Sequence, residues 1–337
     1  MESIVQGVKA ILEAFAVGDA MGMPTEFMTR KEIIQTIGNI EGFVDPALSK
    51  NHGDLPFGTI TDDTEQNMYL INAYTKAKTI DEPVTTKALL AWIEESDAVA
   101  KRYIGPSSLK ALRAIEAGTD PKKAGTGGTT CGGVMRTLSA VLCTPTGVGY
   151  DTLAKHIEQC LMSTHYTSQA LEAACAYGFA LYSASCGDSF DEVMANALNG
   201  ANMGLELAPY HACAASSAQR IVFLQSMIQH DATFQDDDRL LDFLFDVLGT
   251  GLESADVCAA VFALFMRYPK DPWKAICLAS TIGGDTDTIA ALVGALCCAH
   301  RGSNNIPRQI IDYVATHNNL DFMALATSIA QMFEENN

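Results

Sequence analysis

The chain has 337 residues, 48% of them hydrophobic, and its 22 basic and 40 acidic residues give a net charge of −18. This acidity argues against a nucleic-acid partner, because phosphate backbones need a basic surface. No apolar run approaches the roughly 20 residues of a membrane span. The N-terminal residues lack the basic segment, short apolar core and small-residue cleavage site of a signal peptide, so we expect none. Ten cysteines without a C-x-x-C pair are typical of buried free thiols, so we expect a cytoplasmic protein without a membrane partner.

Apolar residues recur at helical spacing from the start of the chain. Residues 3–17 are predicted to form an amphipathic helix that leads into the sequence GDAMGMPTE at residues 18–26. The glycines and Pro24 are expected to break this helix and to let the backbone approach a ligand. Glu26 is then a candidate metal ligand or general base, and local sequence does not distinguish these roles from a surface glutamate in a loop.

A long irregular segment follows a short predicted helix at residues 31–37. Residues 38–60 are punctuated by glycine, proline and asparagine, and a loop of this length in a compact domain is often functional. A lone histidine in a loop is more often solvated, so we expect His52 to be exposed.

The loop leads to the sequence TDDT at residues 61–64, which opens a helical run from Glu65 to Tyr74. Thr61 is a suitable N-cap, and a helix N-terminus tolerates negative charge at Asp62 and Asp63. Taken alone, this sequence is sufficiently explained as the start of a helix.

The segment Gly118–Gly133 is the richest in glycine and threonine and precedes an apolar helix that ends at Leu142. A glycine-rich loop before a helix is typical of an anion-binding site. The segment matches neither a P-loop nor a dinucleotide-binding fingerprint. Composition alone favours a flexible linker.

Helices dominate the rest of the chain, and alternating strand patterns are almost absent. His165, between two of these helices, could meet a ligand, although a lone histidine there is more often structural. The sequence predicts one all-α domain covering residues 1–337. The helices predicted beyond residue 82 are 85–95, 108–117, 134–142, 151–162, 168–184, 190–198, 212–229, 237–248, 255–267, 273–282, 288–300, 307–316 and 320–333.

A second acidic sequence, GGDTDT at residues 283–288, directly precedes the apolar run 289–299. Carboxylates packed this tightly repel one another unless cations lie between them. Ligands that are all oxygen atoms suit a hard ion such as Mg²⁺ rather than Zn²⁺. Our hypothesis is that the two acidic sequences converge on a binuclear metal centre, held by Asp62, Asp63, Asp285 and Asp287.

Six short motifs occur in an order that resembles the ADP-ribosylglycohydrolase family. This group includes dinitrogenase reductase-activating glycohydrolase and the ADP-ribosylarginine and ADP-ribosylserine hydrolases. The resemblance covers nearly the whole chain, and the first, second and last motifs together are the most specific. The motifs are GDAMGMPTE at 18–26, TDDT at 61–64, GPSS at 105–108, GGVMR at 132–136, TH at 164–165 and GGDTDT at 283–288.

The resemblance implies a compact all-α fold with two Mg²⁺ ions in a cleft, Mn²⁺ being an alternative. It implies a hydrolase that cleaves the bond at the anomeric carbon of ribose and releases ADP-ribose from a protein side chain or a small molecule. Glu26 and Asp62 would be the catalytic carboxylates. The implied metal ligands are Thr61, Asp62, Asp63, Asp285, Asp287 and Thr288. The implied substrate-binding residues are Ser107, Gly127, Cys131, Gly132, Gly133 and His165.

One motif departs from the family pattern. The family usually has G-N-G-A/G-x-M-R, and here Thr130 and Cys131 occupy the first glycine and the asparagine positions. Losing the amide changes the groups that face the ribose or its phosphates. Two alternatives therefore stay open: a hydrolase of a smaller N-riboside on the same scaffold, and a non-catalytic crystallin-like or binding relative. The intact carboxylate set argues against the second alternative.

Overall fold

In a computed structural model that describes residues 2–335, the chain forms seventeen α-helices, which confirms the all-α prediction. Within those residues, β structure is limited to one isolated antiparallel bridge between Thr130 and Glu253. The helices are α1 (Glu2–Gly22), α2 (Arg30–Thr36), α3 (Asp62–Ala77), α4 (Glu82–Glu95), α5 (Pro106–Glu116), α6 (Pro121–Ala124), α7 (Gly132–Leu142), α8 (Tyr150–Leu161), α9 (Ser168–Ser185), α10 (Phe190–Leu207), α11 (Ser217–His230), α12 (Asp237–Phe243), α13 (Ser254–Arg267), α14 (Pro272–Ile282), α15 (Thr286–Arg301), α16 (Arg308–His317) and α17 (Phe322–Glu335).

Two helices lie at the centre of the fold. Every residue of α15 from Thr286 to Ala299 is buried, as is every residue of α9 from Ser168 to Ala184. Their sequences are small and apolar on all sides, which is typical of a helix surrounded by others. Helices α1, α13 and α14 pack around α15, and α7, α8 and α10 pack around α9. The metal-ligand candidates at the start of α15 therefore lie on a rigid, buried element.

Helix α1 is longer than predicted, because the glycines at its end do not break it. α1 continues through Gly18 to Gly22, and the chain turns only at the 3₁₀ helix Met23–Thr25. A Cβ atom at Gly18 would lie 2.3 Å from the carbonyl oxygen of Ala290, and one at Gly22 would lie 2.4 Å from that of Thr286. The glycines let α1 approach α15 closely, so their role is helix packing rather than helix termination.

Three other helices differ from the prediction by five or more residues at one end. The predicted capping box of Ser189 and Glu192 is present, but α10 runs on to Leu207 instead of residue 198. Helix α11 begins at Ser217 rather than at residue 212, because the Ser216 hydroxyl caps it. The predicted helix 237–248 is divided into α12 and a π-helical turn, Leu244–Leu248.

The glycine-rich segment is not a flexible linker. The carbonyl of Gly125 accepts a 2.8 Å hydrogen bond from the N–H of Tyr166, and the N–H of Cys131 donates one of 2.7 Å to the carbonyl of Leu252. Residues 121–127 also contain α6 and a 3₁₀ turn. Two distant parts of the chain therefore fix this segment against the start of α7.

The cysteines and the helix lengths agree with the sequence expectations. All ten cysteines are free, and eight of them are buried, with only Cys186 and Cys213 exposed. Among the helices of residues 2–335, none combines the length and the apolar composition needed to cross a bilayer.

Candidate metal centre

The two acidic helix N-termini meet inside the fold, although more than 200 residues separate them in sequence. The Thr288 hydroxyl oxygen lies 3.2 Å from each carboxylate oxygen of Asp63. The Thr61 hydroxyl oxygen lies 3.4 Å from Oδ2 of Asp287. The convergence that the sequence hypothesis requires is therefore present.

Five carboxylates form two groups that share one member. Oxygens of Asp19, Asp63 and Asp287 all lie within 4.8 Å of one another, and the same holds for Glu26, Asp285 and Asp287. Asp287 belongs to both groups and is only 4% exposed. Two sets of oxygen donors joined by one carboxylate suit a pair of neighbouring cations.

These carboxylates have no cationic lysine or arginine partner. Of the ion pairs among residues 2–335, none joins a lysine or arginine to Asp19, Glu26 or any aspartate of the two motifs. Burial raises the pKa of Asp63 and Asp285 well above the usual range, and the nearby charge of Asp287 raises both further. Burial and Asp287 also raise the pKa of Asp19 to about 7. Divalent cations would relieve this repulsion, so the residues present fit a metal centre.

Asp19, which the sequence analysis did not select, supports the start of α3. Its carboxylate accepts hydrogen bonds from the backbone N–H of Thr61 and of Thr64, each at 3.0 Å. It also accepts from the Thr61 hydroxyl at 2.8 Å and from the Thr64 hydroxyl at 2.5 Å. Thr61 is the N-cap residue of α3, as predicted, but its hydroxyl makes no capping bond within the helix. The cap comes from α1, and its only signal in the sequence is the aspartate after Gly18.

A double-glycine turn positions the start of α15. Gly283 and Gly284 have φ angles of 85° and 83°, a region that favours glycine. A Cβ atom on Gly284 would lie 2.1 Å from the carbonyl oxygen of Thr250. The N–H of Asp285 donates to that same carbonyl at 2.7 Å, and the N–H of Phe27 donates to the carbonyl of Gly284 at 2.7 Å. The turn therefore joins the start of α15 to the segment that carries Glu26.

Glu26 is paired with the loop histidine. His52 Nε2 lies 2.5 Å from Oε2 of Glu26, and their side chains are only 7% and 12% exposed. The expectation of a solvated His52 is therefore wrong. The loop folds inward because the N–H of His52 donates to the Ser49 hydroxyl, and its ring packs edge-on against Tyr103.

A cavity of about 200 Å³ opens onto the carboxylates. Its acidic side is lined by Glu26, the four aspartates of the two motifs and Thr288. Asp19 is not among the lining residues. The rest of its lining comes from Phe27, Arg102, Tyr103, Ile104, Gly105, Pro106, Ser108, Thr130, Cys131, Gly132, Met135 and Leu252. Asp62 belongs to neither carboxylate group but faces this space, and its Oδ2 accepts a 3.0 Å hydrogen bond from Gln66. A small polar molecule in the cavity would therefore contact both the carboxylates and the start of α7.

Comparison with known proteins identifies the group to which this fold and site belong. The model of the ADP-ribosylglycohydrolase family matches residues 3–337. The chain belongs to the ADP-ribosylglycohydrolase family. Membership of this family indicates a glycohydrolase.

Two relatives and one solved structure are similar to this chain over most of their length. The uncharacterized protein YegU of Escherichia coli is 28% identical over 319 residues, covering 94% of each chain. An uncharacterized protein of Archaeoglobus fulgidus is 28% identical over 287 residues, covering 83% of each. A solved structure described as an ADP-ribosylglycohydrolase-related protein complex has a TM-score of 0.67 at 22% identity, covering 98% of this chain and 99% of that one. The fold is therefore shared with that structure.

Only two of the six proposed substrate-binding residues line the cavity of this family member. Cys131 and Gly132 do so, at the start of α7. Ser108, rather than the expected Ser107, faces the cavity from α5. Gly127 is exposed and does not line the cavity, and Gly133 packs against the side chain of Leu161.

His165 lies behind the cavity wall instead of in it. The residue is fully buried, with Nε2 3.0 Å from the Thr130 hydroxyl and Nδ1 2.9 Å from the Thr164 hydroxyl. A guanidinium N–H of Arg136 donates to Nδ1 at 3.2 Å. Burial, with a smaller effect of Arg136, lowers the pKa of His165 well below its usual value. His165 is therefore a neutral ring that supports Thr130 and the glycine-rich segment from behind.

Cys131 contacts the metal-ligand candidates directly. Its thiol sulfur lies 2.8 Å from Oδ2 of Asp285. Burial raises the pKa of this thiol well above its usual value, and the charge of Asp285 adds to the shift. Cys131 is therefore a neutral S–H donor to a carboxylate, at the position where the family usually has an amide.

Proposed function

We propose that the chain is a Mg²⁺-dependent glycohydrolase that cleaves the bond at the anomeric carbon of ribose. Its substrate would be an ADP-ribosylated protein side chain or a small ADP-ribosylated molecule. Family membership supports the reaction class. The observation that carries the proposal is the sharing of Asp287 by two buried carboxylate groups that lack a lysine or arginine partner. We further propose that residues 1–337 act as one domain, because the motifs of the site span the chain.

The proposed ligands combine charged carboxylate oxygens with neutral threonine hydroxyl oxygens. The threonines would therefore add metal-binding oxygens without adding negative charge. When bound, two Mg²⁺ or Mn²⁺ ions would neutralise the cluster, orient ribose hydroxyls and lower the pKa of a water molecule. Asp19 would support this set through α3, because four donors on Thr61 and Thr64 already occupy its oxygens. The proposed ligands are Thr61, Asp62, Asp63, Asp285, Asp287 and Thr288.

Two carboxylates are placed to accept the proton of the attacking water. Glu26 lines the cavity and has its Oε2 beside His52, which leaves Oε1 for a water molecule. In the metal-free protein, burial raises the pKa of Glu26 well above its usual value, and Asp287 raises it further. Bound cations would lower this pKa toward the range of a general base. Asp62 is the alternative base. Positive charge that develops on the ribose ring would face these carboxylates, which would stabilise an oxocarbenium-like transition state.

The size of the cavity favours a second candidate, hydrolysis of a smaller N-riboside. Pockets for drug-sized ligands typically measure about 300–1,000 Å³, whereas this cavity measures about 200 Å³. A ribose ring fits within that volume, and the remainder of ADP-ribose would have to lie outside it. Cys131, in place of the usual asparagine, also favours a ligand with fewer polar groups.

Metal-dependent turnover tests these candidates against a non-catalytic role. The protein would be stripped with EDTA, reloaded with Mg²⁺, Mn²⁺ or Ca²⁺, and assayed with ADP-ribosyl-arginine, ADP-ribosyl-serine and simple N-ribosides. Our proposal expects turnover of an ADP-ribosylated substrate only after reloading. Turnover of ribosides alone would support the second candidate. Bound metal without turnover of any substrate would contradict both hydrolase proposals, and absence of metal binding would support a non-catalytic relative.

A further inference from the structure

His52 contacts the site but has no role in the mechanism proposed above. It belongs to the long segment between α2 and α3, and its imidazole is the one side-chain hydrogen-bond partner of the Glu26 carboxyl among residues 2–335. The contact joins Nε2 to Oε2 at 2.5 Å. Such a short contact between a ring nitrogen and a carboxyl oxygen requires a proton between the two atoms.

His52 is held through its backbone and through its ring. The backbone N–H of His52 donates to the Ser49 hydroxyl at 3.0 Å, and its carbonyl accepts from the N–H of Leu55 at 3.0 Å. The ring packs edge-on against Tyr103, with centroids 5.9 Å apart. Tyr103 itself is buried in a small cluster with Trp92 and Ala98. The backbone of His52 is therefore fixed independently of Glu26, and its ring has a packing partner besides that carboxyl.

Glu26 needs such a restraint because it has a competing position. One of its oxygens already lies within 4.8 Å of oxygens of Asp285 and Asp287. A free glutamate there would turn toward cations held by these aspartates and become another ligand. A carboxylate that binds a cation through its oxygens is a weaker proton acceptor.

We propose that His52 is a positioning residue, which holds Oε2 of Glu26 so that Oε1 faces the water in the cavity. This inference rests on the proposed hydrolase function. His52 does not itself contact the reacting atoms. Its effect on catalysis passes through Glu26 alone, so removing His52 matters only while Glu26 is a carboxylate.

A double-mutant cycle with His52→Ala and Glu26→Gln tests this dependence. In the Mn²⁺-loaded enzyme, we expect His52→Ala to lower kcat about 10- to 100-fold, the range for outer partners of catalytic groups. KM and Mn²⁺ affinity, measured by equilibrium dialysis, should change less than about twofold. In the Glu26→Gln background the same change should lower kcat no further. Additive losses, or loss of Mn²⁺ binding with His52→Ala, would overturn the proposal.

Two further variants separate positioning from packing. His52→Gln places an N–H donor at a similar reach, and we expect it to recover kcat to within about fivefold of the parent enzyme. The variant His156→Ala controls for the loss of an imidazole and should leave kcat unchanged. His156 is half-buried, forms a hydrogen bond with Thr144 and does not line the cavity. If His52→Gln is as impaired as His52→Ala at equal thermal stability, the ring acts by packing and the proposal is wrong.

A spectroscopic measurement keeps this inference separate from the proposed function. The ¹⁵N signals of His52 report the proton at Nε2 whether or not a substrate is known, and Glu26→Gln should shift them. If the parent protein binds Mn²⁺ but hydrolyses none of the substrates, the proposed function fails while this contact is still measured. A His52 signal that is unchanged by Glu26→Gln would refute the contact itself.

Discussion

The starts of α3 and α15 look alike in sequence, yet they are built differently. Both have two aspartates and two threonines within four residues. At α3 the cap is a carboxylate from another helix, since Asp19 of α1 accepts bonds from Thr61 and Thr64. At α15 the Thr286 hydroxyl donates to the Gly22 carbonyl of α1 at 2.8 Å, and no carboxylate caps the helix. α1 therefore contacts both helix starts, with the charged side chain of Asp19 at α3 and the neutral backbone carbonyl of Gly22 at α15.

This difference distinguishes a supporting carboxylate, Asp19, from a proposed shared metal ligand, Asp287. Asp19 has four donors of its own and adds negative charge next to Asp63 and Asp287. Asp287 belongs to both carboxylate groups, and its carboxylate accepts a hydrogen bond from the N–H of Thr288 at 3.0 Å. Similar motifs thus give α15 the proposed shared ligand, Asp287, and give α3 a proposed ligand, Asp63, whose helix start depends on α1.

Removing the shared carboxylate should have the largest effect. Asp287→Ala takes one oxygen donor from each proposed ion, so metal content and turnover should both fall well beyond the ~100-fold typical of an outer-shell partner. Metal content can be measured by elemental analysis after dialysis. Asp321→Ala, an aspartate that caps the start of α17 on the surface, is the matched control and should change neither. Retained metal with full activity would refute the ligand role of Asp287.

Asp19 and Asp63 should respond in opposite directions when each is replaced by asparagine. Asp19→Asn leaves buried donors of Thr61 and Thr64 poorly satisfied, so the metal-free protein should lose about 2 kcal/mol or more of unfolding free energy. Asp63→Asn removes one repelling charge, so the metal-free protein should gain about 1 kcal/mol, while Mn²⁺ binding is lost. Urea unfolding with and without Mn²⁺ measures both effects. Equal responses of the two variants would mean that Asp19 is simply another ligand.

The pH dependence of stability should show the same charge repulsion. Because the pKa of Asp19 is raised from 3.8 to about 7, the folded state binds this proton more tightly than the unfolded chain. Its contribution to stability is present below about pH 4 and is lost as pH rises through about 7. The pKa values of Asp63 and Asp285 are also raised, so their contributions have the same sign.

The measurement compares thermal unfolding of the metal-free and Mn²⁺-saturated protein from pH 5 to pH 8. Stabilisation by Mn²⁺ should grow with pH, because cations replace protons in the cluster. At about 100 times the dissociation constant it should reach about 2.7 kcal/mol, or roughly 5 °C. Buried histidines change stability with pH in the opposite direction. Because they are present in both samples, their contribution cancels when the stability of the metal-free protein is subtracted from that of the Mn²⁺-saturated protein. A stabilisation that shrinks toward pH 8 would argue against deprotonated carboxylates as the ligands.

The sequence was sufficient to predict the all-α class, because helices follow from the local spacing of apolar residues. It was also sufficient to predict that α3 and α15 meet, because clustered carboxylates repel one another unless they share cations. It did not indicate the role of Asp19, because this residue lies on α1, 42 residues before the Thr61 that it contacts. It misplaced His52 because burial of a loop depends on tertiary contacts such as the ring of Tyr103. The sequence also did not distinguish Ser107 from Ser108, which lines the cavity, because a one-residue rotation of about 100° on a helix changes which side chain faces a cavity.

The smallest effect should come from changing a neutral hydrogen-bond donor to one of the motif aspartates, since these donors also differ between the two helix starts. Asp285 at the start of α15 is 2.8 Å from the Cys131 thiol of α7, whereas Asp62 at the start of α3 accepts from Gln66 of its own helix. Cys131→Ser keeps a short donor and should leave kcat/KM within about threefold of the parent.

Cys131→Asn introduces the amide usual in the family, and it should discriminate between the two substrate classes. If ADP-ribosylated molecules are the substrates, the added hydrogen bonds should shift the kcat/KM ratio of ADP-ribosyl to simple riboside substrates about tenfold toward the former, a change of roughly 1.4 kcal/mol. If small ribosides are the substrates, the larger amide takes space in a cavity of about 200 Å³ and should lower their kcat/KM without creating ADP-ribosyl turnover. An unchanged ratio would mean that α7 does not contact the substrate, and that specificity depends on the acidic side of the cavity.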